Sequence, residues 1–227
     1  MLDVLAYCSN PHAWTPGVRY AAELAASLGA SLTGLHVSPA WPQREPRGAP
    51  PSLMAELLAH AQEEVHAATR AGPRFEAWAR GIGVGSTRWH VALGDPIDVL
   101  GVAGNWTDFI VIDRHIGDRD DTCELICELL LARRVCIAVP DNGYAPTRLD
   151  RVMIVYDGSA SAVRALHATL PLLREHAHVV LLTPRAIPGD KASPRADFDP
   201  VRRLAARGVD VERQTLDAEG SSLAAAV

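Results

Sequence analysis

The chain has 227 residues, 48% of them hydrophobic and 22% charged, with a formal net charge of −5. This is a globular composition, and its mild acidity removes any electrostatic reason for nucleic acid or an anionic membrane as the main partner. Aromatic content is 5%, which advertises no stacking platform for single strands; no uncharged apolar run reaches the ~18 residues of a bilayer span; four cysteines are too few for a disulfide framework.

The N-terminus enters "LDVLAY" with no basic leader, so no signal peptide is expected, and a reducing cytoplasm is the expected compartment. "VLAYC" (residues 4–8) predicts a first strand and "SNPHAWTPG" a turn-rich loop. Val18, Ala21, Ala22, Leu24, Ala25 and Leu28 then recur on a helical period that stops at Gly29. "SLTGLHVS" predicts the second strand. The prolines of residues 39–51 exclude regular structure there. Ser52 is placed to cap a helix with Leu53, Leu57, Ala61, Val65 and Ala68 on one face. "GIGVGS" (residues 81–86) precedes a strand, "STRWHVAL", and reads as a helix-to-strand turn. Next come a short helix with Pro96 in its first turn and the buried strand "DFIVID". Asp121 and Thr122 open the helix "CELICELLLARR", and "VCIAVP" closes the half. In that helix Cys123 and Cys127 read as part of a buried apolar stripe, since their spacing is not that of a zinc motif.

Strand–helix alternation of this kind predicts an open parallel five-stranded sheet with helices on both faces, a Rossmann-like α/β fold. "DNGYAPTR" (residues 141–148) reads as a linker. After it the pattern begins again: "LDVLAYCSN" returns as "LDRVMIVYDGS", "GLHVSP" as "VVLLTP", and "RWHVALGDPIDVL" as "VERQTLDAEGSSLAAAV". The fold is therefore expected to be duplicated, with one domain at 1–140 and a second at 149–227. The second copy ends before counterparts of "DFIVID", the helix after it and "VCIAVP", so it is expected to be C-terminally incomplete.

The opening "RVMIVYDGSASAVRALHATLPLL", together with "GLHVSP" and "GDPIDVLGVAGNWTDFIVID", resembles the universal stress protein family. The resemblance implies a sheet whose carboxyl ends carry ATP in many members, pairing as a homodimer or an intramolecular pseudo-dimer, and roles in stress response without defined catalysis. It assigns nucleoside contacts to Asp157, with Tyr156, Val155, Leu182 and Thr183 as neighbours. ATP or another adenine nucleotide is then expected in the C-terminal domain only, with no metal beyond nucleotide-bound Mg. On the residues alone, Asp157 reads equally well as an acid at a helix N-terminus, where with Ser159 it satisfies free N–H groups. Aligning the repeats sets Cys8, Ser9 and Asn10 against Asp157, Gly158 and Ser159, so the first copy lacks the acid, and Cys8 reads as a small buried residue.

The family's phosphate loop after its fourth strand is Gly-x2-Gly, nine residues, then Gly-Ser or Gly-Thr. Here "IDRHIGDRDDTCEL" keeps only Gly117 and Thr122 and sets Asp118, Asp120 and Asp121 near a helix start, where they repel phosphate. The first domain is thus expected not to bind ATP in the family manner. Two other classes stay open: a ligand-free dimerisation or interaction module, and an adenylating-type enzyme on the same architecture. No nucleophile elbow or metalloprotease pair is present in the sequence.

Overall fold

The computed structural model describes residues 1–38, 50–114, 121–140, 147, 149–184 and 199–216. They fall into two compact units, Met1–Thr147 and Arg148–Val227. Linker residues 141–146 and 148, residues 39–49 of the proline-rich stretch, most of the expected phosphate loop and the last eleven residues of the repeat (217–227) lie outside the described residues, and Pro51, expected in irregular structure, opens α2.

The first unit runs β1 (Asp3–Tyr7), α1 (Pro16–Leu28), β2 (Ser31–Ser38), α2 (Pro51–Arg70), α3 (Gly72–Ile82), β3 (Ser86–Leu93), α4 (Pro96–Ala103), β4 (Phe109–Arg114), α5 (Asp121–Leu131) and β5 (Cys136–Pro140). The strands form one parallel sheet in the order β3-β2-β1-β4-β5. This is the open five-stranded sheet that the alternation predicts. The chain reverses its direction of winding between β1 and β4, which makes their carboxyl ends the topological switch point.

Both faces are covered because the strand residues are apolar on both sides. Leu5, Leu35, Ile110 and Ile112 pack with Leu100 of α4 and with Leu125 and Leu129 of α5. Helices α1, α2 and α3 contact the other face. Helix α1 is capped at both ends as its sequence demands: Thr15 accepts from the Val18 N–H, Pro16 fills the first turn, and Gly29 stops it in a left-handed conformation at φ 60°.

Two local expectations change. Helix α2 begins one residue before Ser52, behind Pro50, which offers no side-chain cap. Helix α3, which the periodicity does not mark, follows α2 at once. Its Phe75 and Trp78 join Trp14 and Trp89 in an aromatic cluster with centroid separations of 5.0–5.9 Å. The "GIGVGS" stretch is the expected turn, with Gly83 at φ 108° closing α3.

The second unit comprises β6 (Leu149–Val155), α6 (Ala160–Thr169), a 3-10 turn (Leu170–Leu172), β7 (Leu173–Pro184), α7 (Pro200–Ala205) and β8 (Asp210–Leu216). Its three strands are parallel in the order β6-β7-β8. One face is packed: Ile154, Val179 and Leu181 meet Leu166 of α6 and Leu204 of α7. On the other face Met153 is 52% and Val155 37% exposed.

The ladders correct the repeat alignment by one residue. Regular pairing starts on the rung Asp3–Ser31–Ser86 in the first sheet and Arg151–His178–Asp210 in the second. The Cys8 N–H donates to the Leu35 carbonyl, and the Tyr156 N–H donates to the Leu182 carbonyl. Tyr156 therefore stands where Cys8 does, and Asp157 where Ser9 does. The slip arises because the cap Thr15 follows Cys8 by seven positions, whereas the cap Ser159 follows Tyr156 by three. Either way the first copy has no acid at this position.

Candidate functional site

At the switch point of the first unit lies a cleft of about 530 Å³ lined by Tyr7 and Ser9 after β1, Asp95 and Ile97 at the start of α4, Asp113 at the end of β4, and Glu124 of α5. Asp95 caps α4, accepting from the Ile97 N–H at 2.8 Å. Burial pushes the Tyr7 phenol above its ordinary range, with the charges of Cys8 and Asp95 adding to the effect. Among the described lining residues there are three carboxylates and no cation.

Asp113 occupies the start of α1 beside this cleft. It is 6% exposed, and its carboxylate takes the N-terminus of α1: one oxygen accepts from the Gly17 N–H at 2.6 Å, the other from the Thr15 hydroxyl at 2.5 Å. The free N–H groups at a helix start are the usual cradle for an anion, and here the protein supplies its own. Gly17 has no side chain for this reason: a Cβ there would lie 2.9 Å from the Asp113 carboxyl carbon. These residues were not marked by sequence reasoning. The signal was available in the acid that ends "DFIVID", but its partners lie 96 and 98 residues away.

In the second unit the structure gathers the expected residues at the carboxyl ends of two adjacent strands. Val155 is in register with Leu182, the Tyr156 N–H bonds the Leu182 carbonyl, and Thr183 follows, its hydroxyl 3.5 Å from the Gln214 carbonyl. Asp157 is exposed and accepts from the Ser159 N–H at 2.8 Å, while the Ser159 hydroxyl caps α6 by accepting from Ala162. Hydrogen bonds from Ser159, first its hydroxyl and then its main chain, hold the Asp157 carboxyl below the usual carboxylate range. Both readings of Asp157 thus have a footing: it sits at the strand tip, and it braces the turn into α6.

The cysteines divide. Cys8 is fully buried, its thiol directed at the Ala6 carbonyl, and burial drives the thiol pKa far up. His36, 8% exposed, is a satisfied core residue whose Nδ1 lies 2.7 Å from the Cys8 carbonyl oxygen. The stripe expected for α5 is corrected: Leu125 and Leu129 face the core, and Cys123 and Cys127 face solvent. Both pairs have i,i+4 spacing, and the larger leucines take the buried face. Among the described residues no group of metal-ligating side chains is assembled.

Residues 5–103 match the model of the universal stress protein family. No curated protein sequence matches the chain. Of solved structures, a universal stress protein from Archaeoglobus fulgidus DSM 4304 shares the fold at a TM-score of 0.54 and 15% identity, over 95% of this chain and 79% of that one. Universal stress protein UspA from Lactobacillus plantarum aligns at a TM-score of 0.46 and 14% identity, over 61% of this chain and 97% of that one. Residues 5–103, which carry β2, β3, most of β1 and part of the switch-point cleft, are thus similar to the universal stress protein family.

Proposed function

We propose that the chain is a tandem universal stress protein, with domains at 1–140 and 149–227, in which the first domain is a scaffold and the second takes an adenine nucleotide. The observation that carries the reading is the contrast between two strand tips. Asp113 fills the anion-binding start of α1 with a carboxylate. Asp157 instead stands exposed, beside the half-buried Tyr156 and the Leu182–Thr183 backbone. A carboxylate in that place suits hydroxyl or amino donors of a nucleoside, and ATP with its own Mg is the ligand expected. The protein acts by binding, not by catalysis. Four free cysteines suit a reducing compartment such as the cytoplasm, and among the described residues no helix is long and apolar enough to cross a membrane.

Binding of a fluorescent ATP analogue to the chain, and its loss by tenfold or more in Asp157→Ala, tests the assignment. Unchanged affinity in that variant removes the role given to Asp157, and ATP turnover with a second substrate replaces the reading with an enzyme. A second reading, interaction without ligand, is favoured by one feature of the first unit. A groove of about 710 Å³ beside α4 leaves Trp106 82% and Val102 65% exposed over Leu5 and Leu35.

A further inference from the structure

We infer that the groove beside α4 is a binding site for a small aromatic carboxylate, with the ring against Trp106 and the acid on Arg88. This goes beyond both readings above and does not depend on Asp157. The groove's volume, about 710 Å³, is that of a small-molecule site. Strand register builds its floor: Leu5, Thr33 and Arg88 stand side by side, and Leu35 stands beside His90 two residues further along the strands. Helix α4 builds its wall. Val99, Val102 and Ala103 recur at helical spacing, and Trp106 follows just past the helix end. Among the described residues β3 is the margin of the sheet, so the groove opens toward Arg88 and His90.

Charge decides what fits. Arg88 is exposed and has no ion-pair partner among the described residues. The acids of the groove are already engaged. The Asp3 carboxylate accepts from the Ser31 hydroxyl, and Asp98 sits in the first turn of α4, where the free N–H groups of the helix favour it. Arg88 is thus the base that the fold leaves over, and a guanidinium meets a carboxylate with two parallel hydrogen bonds. Asp3 and Asp98 disfavour a polyphosphate on the same spot, so the match is one compact acid. Thr107 also lines the groove, and its buried hydroxyl has no hydrogen-bond partner in the fold, a deficit that a ligand acceptor can relieve. The apolar part of the ligand falls to Trp106, 82% exposed, and Val102, 65% exposed, above the buried Leu5 and Leu35. The indole offers a flat face for offset stacking, which favours a ring system over an alkyl chain.

Isothermal titration calorimetry of naphthoate into the 227-residue chain tests the site, with naphthamide and naphthylmethylamine as the uncharged and cationic comparisons. The inference predicts saturable binding of naphthoate at a dissociation constant of roughly 10–1,000 μM, and about tenfold weaker binding of the amine. Arg88→Gln should weaken naphthoate about tenfold and leave naphthamide within about threefold of the parent. Trp106→Ala should weaken both about fivefold or more. Both side chains are exposed, so the far-ultraviolet circular dichroism of these variants should match the parent. Asp157→Ala should leave naphthoate binding unchanged, so this site and the nucleotide reading fail separately. No saturable binding of naphthoate up to about 5 mM, an affinity that ignores Arg88→Gln, or the amine as the tightest of the three overturns the inference. A chain dimer that Trp106→Ala breaks and naphthoate does not displace gives the groove to a second copy, and overturns it as well.

Discussion

A single buried carboxylate ties the switch point of the first unit together. Asp113 satisfies the Gly17 N–H and the Thr15 hydroxyl at once, and the price is that Gly17 can carry no side chain. Asp113→Ala leaves the buried N–H without a partner and should cost about 1–3 kcal/mol in urea unfolding. Gly17→Ala brings a methyl group onto the carboxylate and should cost a similar ~1–3 kcal/mol by overpacking. Asp157 predicts a pH effect of known sign. Its carboxyl is held low in the folded state, so the support it gives α6 is complete above the ordinary carboxylate range. That support fades as pH falls through the lowered value. A carbon-detected titration of Asp157 should give a midpoint below that of a model aspartate, and a midpoint at or above it contradicts the bonding to Ser159. At this scale the sequence was legible where the interaction is local. Asp157 bonds its neighbour two residues on, whereas Asp113 is defined by partners that only the folded sheet brings near.

Helix α3 is the element that holds the loop after β1. Phe75 is fully buried, edge-on to Trp14, and Arg74 lies over the Trp14 ring while donating to the Pro11 and His12 carbonyls. Phe75→Ala should lose about 3–5 kcal/mol by emptying that cluster, measured by the urea midpoint. The packing also dictates Gly34 on β2, where a Cβ would meet Trp89 at 2.6 Å and Phe75 at 2.7 Å. Helix α5 predicts an order of thiol reactivity toward an aromatic disulfide near pH 8. Cys123 and Cys127 should react first. Cys136, whose thiol burial pushes up to about 11, should be slow, and Cys8 slowest. Fast labelling of Cys8 or Cys136 in the folded chain would contradict the burial of these residues. Helix α3 escaped the periodic reading because Gly72, Pro73 and Gly81 blur its ends, and its short apolar face is aromatic. The α5 stripe was misassigned because two i,i+4 pairs compete on one helix and spacing alone does not rank them.

At the scale of the whole molecule, the parallel five-stranded sheet was legible because strand–helix alternation with short connections leaves few other architectures, whereas its strand order was set only by the ladders. The register of the proposed repeat was not legible. Loops of unequal length before α1 and α6 hide a one-residue offset that only the ladders reveal. The two halves then diverge in chemistry. The first unit lines its switch point with the carboxylates Asp95, Asp113 and Glu124, and the second exposes Asp157 on a strand tip. Isothermal titration calorimetry of ATP into the chain tests that division most directly. The account predicts one site per chain, lost in Asp157→Ala and unchanged in Asp95→Asn and Glu124→Gln. Binding that survives Asp157→Ala, or that responds to the first-unit variants instead, would contradict it.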